Sequence, residues 1–143
     1  MPDPQDAIQD AIRSRSIGEF ILPDVPQVLL TDSLSTAVDK YKESPYSVVL
    51  VVDGNGNLVG MMTDTDLVGK AGAGTVQSAI PQDDVIAVRD NATLSELLEL
   101  LNGGNKQKRI LDRVPVVDSS NKPLGIVDRD KLTIRVGDLL AAS

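Results

Sequence analysis

The sequence predicts a mixed α/β (α+β) fold in which one β-α-β-β-α unit, about 60 residues long, is used twice. Two spacings and one shared pattern carry that expectation. Val49-Leu50-Val51-Val52-Asp53, a turn and Leu58-Val59-Gly60-Met61-Met62 return as Val114-Pro115-Val116-Val117-Asp118, a turn and Leu124-Gly125-Ile126-Val127. Asp53 to Asp118 and Gly60 to Gly125 are both separations of 65. Upstream, Val28-Leu29-Leu30-Thr31-Asp32-Ser33-Leu34 matches Val88-Arg89-Asp90-Asn91-Ala92-Thr93-Leu94 in outline at a separation of 60. In both copies a short strand leads into a capped helix and then into a hairpin.

The elements follow in order. Residues 1–15 predict a helix with Asp3 as cap and Pro4 at its first position, placing Ala7, Ile8, Ala11 and Ile12 on one face. It reads as a packing or dimer-contact element. The first copy spans 16–72 and the second 73–143. Strands are expected at Val28–Leu30 and Val85–Val88. Ser33 then caps a helix with Leu34, Ala37, Val38 and Tyr41 on one face, and Thr93 one with Leu94, Leu97, Leu98 and Leu101. Each hairpin turns through Asp53 to Asn57 or Asp118 to Asn121, and a last helix begins at Thr63 or Asp128. The five residues by which the two separations differ fall in the polar, Gly-rich loop of residues 102–109. Its Lys106, Lys108 and Arg109 read as a solvated cluster. One copy alone has a thin core; two facing copies can share one.

Composition limits the chemistry. With 143 residues, 41% apolar and 24% charged, the chain has the make-up of one globular domain. No apolar run approaches the roughly 20 residues of a membrane-crossing helix. Met1-Pro2-Asp3-Pro4-Gln5-Asp6 is acidic and unlike a signal peptide, so a soluble, cytoplasmic protein is expected. The absence of cysteine excludes thiolate zinc sites and cysteine nucleophiles, and the absence of histidine removes the commonest general base and metal ligand. Phe20, Tyr41 and Tyr46 are too few rings for a single-strand nucleic-acid platform. The net charge of −7 opposes both nucleic acid and acidic membranes.

Asp53-Gly54-Asn55-Gly56-Asn57 spaces oxygens like a calcium loop, but Leu58 stands where the loop needs glycine and Asp64 where it needs glutamate. A hairpin turn explains it better. Gly54, Gly56 and Gly60 miss a dinucleotide fingerprint, and Gly69-Lys70-Ala71 lacks the rest of a phosphate loop. Thr63-Asp64-Thr65-Asp66 is more informative. Thr63 and Asp66 approximate a capping box, and two acids suit the positive end of a helix. The same geometry suits a ligand: the carboxylate can accept both hydroxyls of a ribose, while Thr63 and free N–H groups can meet a phosphate. Asp64 and Asp66 repel phosphate, so a basic group must come from elsewhere.

With "RVPVVD" leading into one hairpin and "GMMTDTDL" leaving the other, the repeat resembles a tandem pair of CBS domains (a Bateman module) over roughly residues 16 to 140. The resemblance implies two repeats related by a pseudo-two-fold, with a nucleotide in the cleft between them. It then implies that Thr63 and Asp66 hold phosphate and ribose, that Met61 packs on the base ring, that Val85, Ile86 and Ala87 lie beside the base, and that Arg113 supplies the missing charge. A solvated Arg113 paired with Asp112 or Glu99 is the plainer alternative. In the second motif Asp128 takes the hydroxyl position and Lys131 the position of the ribose-binding acid, where an ammonium cannot accept a hydroxyl. A second site, with Tyr46, Ser47 and residues 23–27 as partners, is therefore expected to be weak.

The expectation is a non-catalytic regulatory module that binds an adenine nucleotide or adenosyl ligand (AMP, ADP or ATP) and needs no cofactor. It is expected to form a homodimer and signal to a separate effector protein, with neither nucleic acid nor membrane as partner. The alternative is a ligand-free dimerising scaffold. A magnesium-dependent enzyme using Asp64 and Asp66 ranks last, because acids two apart at a helix start diverge.

Overall fold

The computed structural model of the protein describes residues 4–68, 74–80 and 85–142. Asp3 and the Gly69-Lys70-Ala71 stretch lie outside these residues. Packing divides the chain into two compact units. One contains the described residues of 1–22, 86–116 and 126–143, the other those of 23–85 and 117–125.

In the second of these, β1 (Gln27–Leu29) runs parallel to β2 (Val49–Val52), and β2 runs antiparallel to β3 (Leu58–Met62), in the order β1-β2-β3. The central β2 is a run of four aliphatic residues because both its faces are covered, and all four are buried. β3 instead alternates, with Leu58, Gly60 and Met62 buried and Val59 and Met61 half-buried. Helix α2 (Leu34–Glu43) opens at Ser33, whose Oγ accepts from Thr36 N at 3.1 Å. Its Leu34 and Ala37 are buried, with Val38 and Tyr41 at the margin of the same core. The short helices α3 (Asp64–Val68) and α4 (Val76–Ala79) complete this layer. Gly60 is closely approached by the Ile80 side chain, which would have to shift to admit a Cβ there.

The other unit is built on the same plan, except that residues 117–125 of its hairpin cluster with the unit just described. Helix α1 (Pro4–Arg13), β4 (Val88–Arg89), α5 (Leu94–Leu101), β5 (Arg113–Val117), β6 (Pro123–Asp128) and α6 (Arg129–Ala141) surround a second apolar core, with strand order β4-β5-β6. Thr93 and Glu96 form a complete capping box at α5. The loop of 102–109 is held by Asn105, whose Nδ2 donates to Leu100 O and Arg109 O at 2.9 and 2.7 Å. The two hairpin turns are copies down to their bonds. Asp53 Oδ1 accepts from Asn55 N and Asn57 N, and Asp118 Oδ1 from Ser120 N and Lys122 N, at 2.8–3.0 Å. Gly56 (φ 81°) and Asn121 (φ 63°) take the left-handed position that each loop needs.

Several expectations need correction. The strand placed at Val28–Leu30 is Gln27–Leu29, the one placed at Val85–Val88 is the shorter Val88–Arg89, and residues 85–87 have no regular structure. Of the face expected on α1, Ile12 is buried and Ile8 half-buried, but Ala7 and Ala11 are exposed. The 3₁₀ turn Ile17–Phe20 and α4 were not anticipated.

Those two unanticipated segments complete the cores. Ile17 and Phe20 belong to the first copy by sequence, yet they are buried with Leu94, Leu97 and Leu101 of the second. Val76 and Ala79 belong to the second copy by sequence and are buried with Leu34, Ala37 and Val49 of the first. The backbone bonds correspond one to one. Ile17 N donates to Ala92 O (3.0 Å) and Leu94 N to Arg15 O (2.9 Å), while Val76 N donates to Asp32 O (2.9 Å) and Leu34 N to Gly74 O (3.2 Å). Each lead segment thus docks beside the cap of the other copy's helix.

Ile17→Ala is expected to cost about 2–5 kcal/mol in urea unfolding, the range for emptying a buried aliphatic position. Combined with Leu97→Ala, the loss should depart from additivity by about 0.5 kcal/mol or more, whereas with Val49→Ala it should add. Coupling to Val49 instead would contradict the exchange.

Candidate functional site

The junction of β3 and α3 is where the first motif becomes geometry. β3 ends at Met62, and Thr63 O accepts the first helical bond, from Leu67 N at 3.2 Å, so Thr63 is the N-cap of α3. Three residues on, Asp66 Oδ2 accepts from Thr63 N at 2.9 Å and from Thr63 Oγ1 at 3.4 Å. The expected capping box is therefore half-formed: Asp66 reaches back, and the Thr63 hydroxyl donates to it instead of accepting from the helix. Both residues are half-buried. Asp64 is exposed and its Oδ1 accepts from Thr65 N at 2.9 Å. Asp64 and Asp66 thus serve separate local bonds. Among the described residues no three acidic side chains gather as a metal site would need.

The second motif caps its helix differently. Asp128 Oδ1 accepts from Asp130 N (3.0 Å) and Lys131 N (3.2 Å), while Oδ2 faces Arg113 Nε at 3.4 Å. Arg113 is thus paired neither with Asp112 nor with Glu99, as the plainer alternative had it, but across the hairpin with Asp128. The side chains are 32% and 17% exposed, so the pair is shielded on the carboxylate side. Asp112 instead lies 4.0 Å from Arg129 Nε and is largely exposed.

Every residue expected beside the nucleotide is half-buried: Met61, Thr63, Asp66, Val85, Ile86, Ala87 and Arg113. Ile86 leans on the core of its own unit. The weaker-site residues are more open. Ser47 and Lys131 are exposed, and Ser47 sits at φ 59°. Tyr46 and Asp128 are half-buried. The structure therefore joins these residues in two pairs, Thr63 with Asp66 and Arg113 with Asp128.

Sequence reading missed Arg129. Its Nε donates to Leu111 O (3.0 Å), Nη1 to Asn102 Oδ1 (2.9 Å) and Nη2 to Leu101 O, and its backbone N donates to Asp112 O (2.7 Å). It ties the end of α5 to the start of α6 and so fixes the chain that leads into Arg113. A signal was present: an arginine in a helix's first turn opposes the dipole and needs partners elsewhere.

Two copies of the CBS-domain family model match this chain, at residues 17–72 and 76–138. The chain belongs to the CBS-domain family. This CBS pair is 24% identical to inosine-5'-monophosphate dehydrogenase of Nitrosopumilus maritimus over 129 residues, 90% of this chain and 26% of that protein. It spans about a quarter of the length of the curated relatives it matches first. Among solved structures, CBSX2 of Arabidopsis thaliana in complex with AMP superposes with a TM-score of 0.70 at 25% identity, covering 87% of this chain and 97% of that one. CbpB in complex with c-di-AMP gives 0.75 at 15% identity, covering 96% and 95%, and shows the shared fold. No helix among the described residues is long and apolar enough to cross a membrane.

Asp66→Ala removes the acceptor of Thr63 N and should lower stability by about 0.5–1.5 kcal/mol, whereas Asp66→Asn keeps an acceptor oxygen and should cost less. Thermal unfolding measures both, and equal losses would mean that the cap bond contributes nothing.

Proposed function

We propose that this CBS pair is a regulatory module that binds an adenine nucleotide or adenosyl ligand and carries out no chemistry of its own. The observation that carries the reading is the Thr63–Asp66 pair. A carboxylate and a hydroxyl are locked together at a helix start and half-buried, in a family member whose fold relative CBSX2 was solved with AMP. Asp66 Oδ2 is committed to Thr63, and among the described residues Oδ1 takes no hydrogen bond. Oδ1 is the oxygen proposed to accept the ribose hydroxyls.

Met61, Val85, Ile86 and Ala87 are assigned to the base, and aliphatic walls suit a chain with few aromatics. Arg113 is assigned to the phosphate. Its contact with Asp128 uses Nε, so the edge bearing Nη1 and Nη2 is the one proposed for phosphate oxygens. The weaker second site (Tyr46, Ser47, Asp128, Lys131) lacks a ribose-accepting acid. Occupancy would change the packing of the module, and a partner protein would read that change in a cytoplasmic homodimer. No cofactor is needed.

One observation favours the alternative, a ligand-free dimerising scaffold. Helix α6 leaves Ile134 (65%) and Leu140 (42%) exposed, apolar surface that a second copy could cover.

Calorimetric titration with AMP, ATP, NAD and S-adenosylmethionine separates the readings. Saturable binding that Asp66→Ala abolishes is the expected result; no heat with any of them favours the scaffold, and turnover of ATP with magnesium would indicate an enzyme. Arg113→Ala should weaken AMP by about 10- to 100-fold and leave adenosine nearly unchanged, as the loss of a charged hydrogen bond requires. Equal losses for the two ligands would remove Arg113 from the phosphate.

A further inference from the structure

The pairing of Arg113 with Asp128 has no counterpart in the first copy. Carrying the first hairpin's register, Val49 opposite Met62, forward by 65 sets Val114 opposite Val127 and Arg113 opposite Asp128. The same shift makes Val48 and Thr63 the first-copy equivalents. A neutral cross-strand pair in one copy is thus a charged pair in the other. Capping does not demand the charge, because Asn, Ser and Thr cap as well as or nearly as well as Asp. Only Oδ1 caps α6; the other oxygen is the one facing the guanidinium.

We infer that Asp128 is a specificity-determining residue: its carboxylate repels a ligand's phosphate brought to Arg113 and so discriminates among adenosyl ligands by their negative charge. The inference rests on the proposed assignment of Arg113 to the phosphate. A phosphate on the Nη edge of Arg113 comes within several ångströms of Asp128, whose charge is partly shielded from water and therefore poorly screened. Every added phosphate charge raises that repulsion. An uncharged adenosine does not feel it. Asp128 therefore lowers the affinity for ATP more than for AMP and leaves adenosine alone. It also holds the guanidinium when no ligand is present, sparing the chain an unpaired, half-buried cation.

Asp128→Asn and Asp128→Thr test this in the full chain. Both substitutes can cap α6, and threonine is what the first motif carries at Thr63. Titration calorimetry with adenosine, AMP and ATP on the wild type and both variants should show AMP binding about tenfold tighter in each variant. The gain should be larger for ATP and smallest for adenosine, with the stoichiometry unchanged; a stoichiometry that rises to two would assign the gain to the second site that Asp128 borders and overturn the inference. AMP binding that stays the same while adenosine and AMP both bind the wild type would overturn the inference alone. Weaker AMP binding in the variants would also overturn it, making Asp128 a positioning residue for Arg113. If AMP binds none of the three proteins, the nucleotide reading fails and the inference falls with it.

Discussion

Two backbone hydrogen bonds, Ile17 N to Ala92 O and Val76 N to Asp32 O, govern much of the architecture. Each anchors a lead segment beside the cap of a helix that belongs, by sequence, to the other copy. The anchoring sinks Ile17 and Phe20 into one core and Val76 and Ala79 into the other. A unit of about 60 residues is marginal in the apolar surface it can bury, so each closing segment counts. The remaining packing follows from this constraint. The central strands β2 and β5 are apolar on both faces, and α2 and α5 present their leucine or alanine faces to cores already closed from one side.

The site elements inherit their positions from the same frame. β3 is pinned at Gly60 against Ile80, so Met61 emerges on the half-buried face and Thr63 meets the start of α3. In the other unit Arg129 clamps the chain ahead of β5 by bonding Leu101 O, Asn102 and Leu111 O. Arg113 therefore leaves a fixed backbone, with Asp128 opposite it. The electrostatics of the two motifs diverge accordingly. In the first an acid is locked to its own cap, and in the second a cap is locked to a base.

Much of this was legible in the residues. The duplication, the caps at Ser33, Thr93 and Asp128, and both hairpin turns follow from local rules of spacing and turn chemistry, which act over four or five residues. What was not legible is nonlocal. Nothing in Ser16-Ile17-Gly18-Glu19-Phe20 says whose core it completes, since an apolar pair fits either. Val85-Ile86-Ala87 reads as strand because apolar β-branched residues favour pleated surfaces, but a ladder also needs a partner, and the bonded strand is only Val88–Arg89. The Arg113–Asp128 pair is fifteen residues apart in sequence, while the adjacent Asp112 offers itself first. The register of the first hairpin, a property of the fold, places the pair through the duplication, because residues opposite each other across a hairpin are neighbours whatever their separation in sequence.

The exchanged lead segments also bear on how such a chain can arise. A single-copy ancestor would carry a lead whose docking place lies on a different copy. Its core would be open unless a second molecule lent the same segment in return. Duplication with fusion turns that reciprocal loan between molecules into a covalent one, and the concentration dependence of folding disappears. Cut at the boundary between its copies, the chain would leave each half with a core that lacks its closing segment.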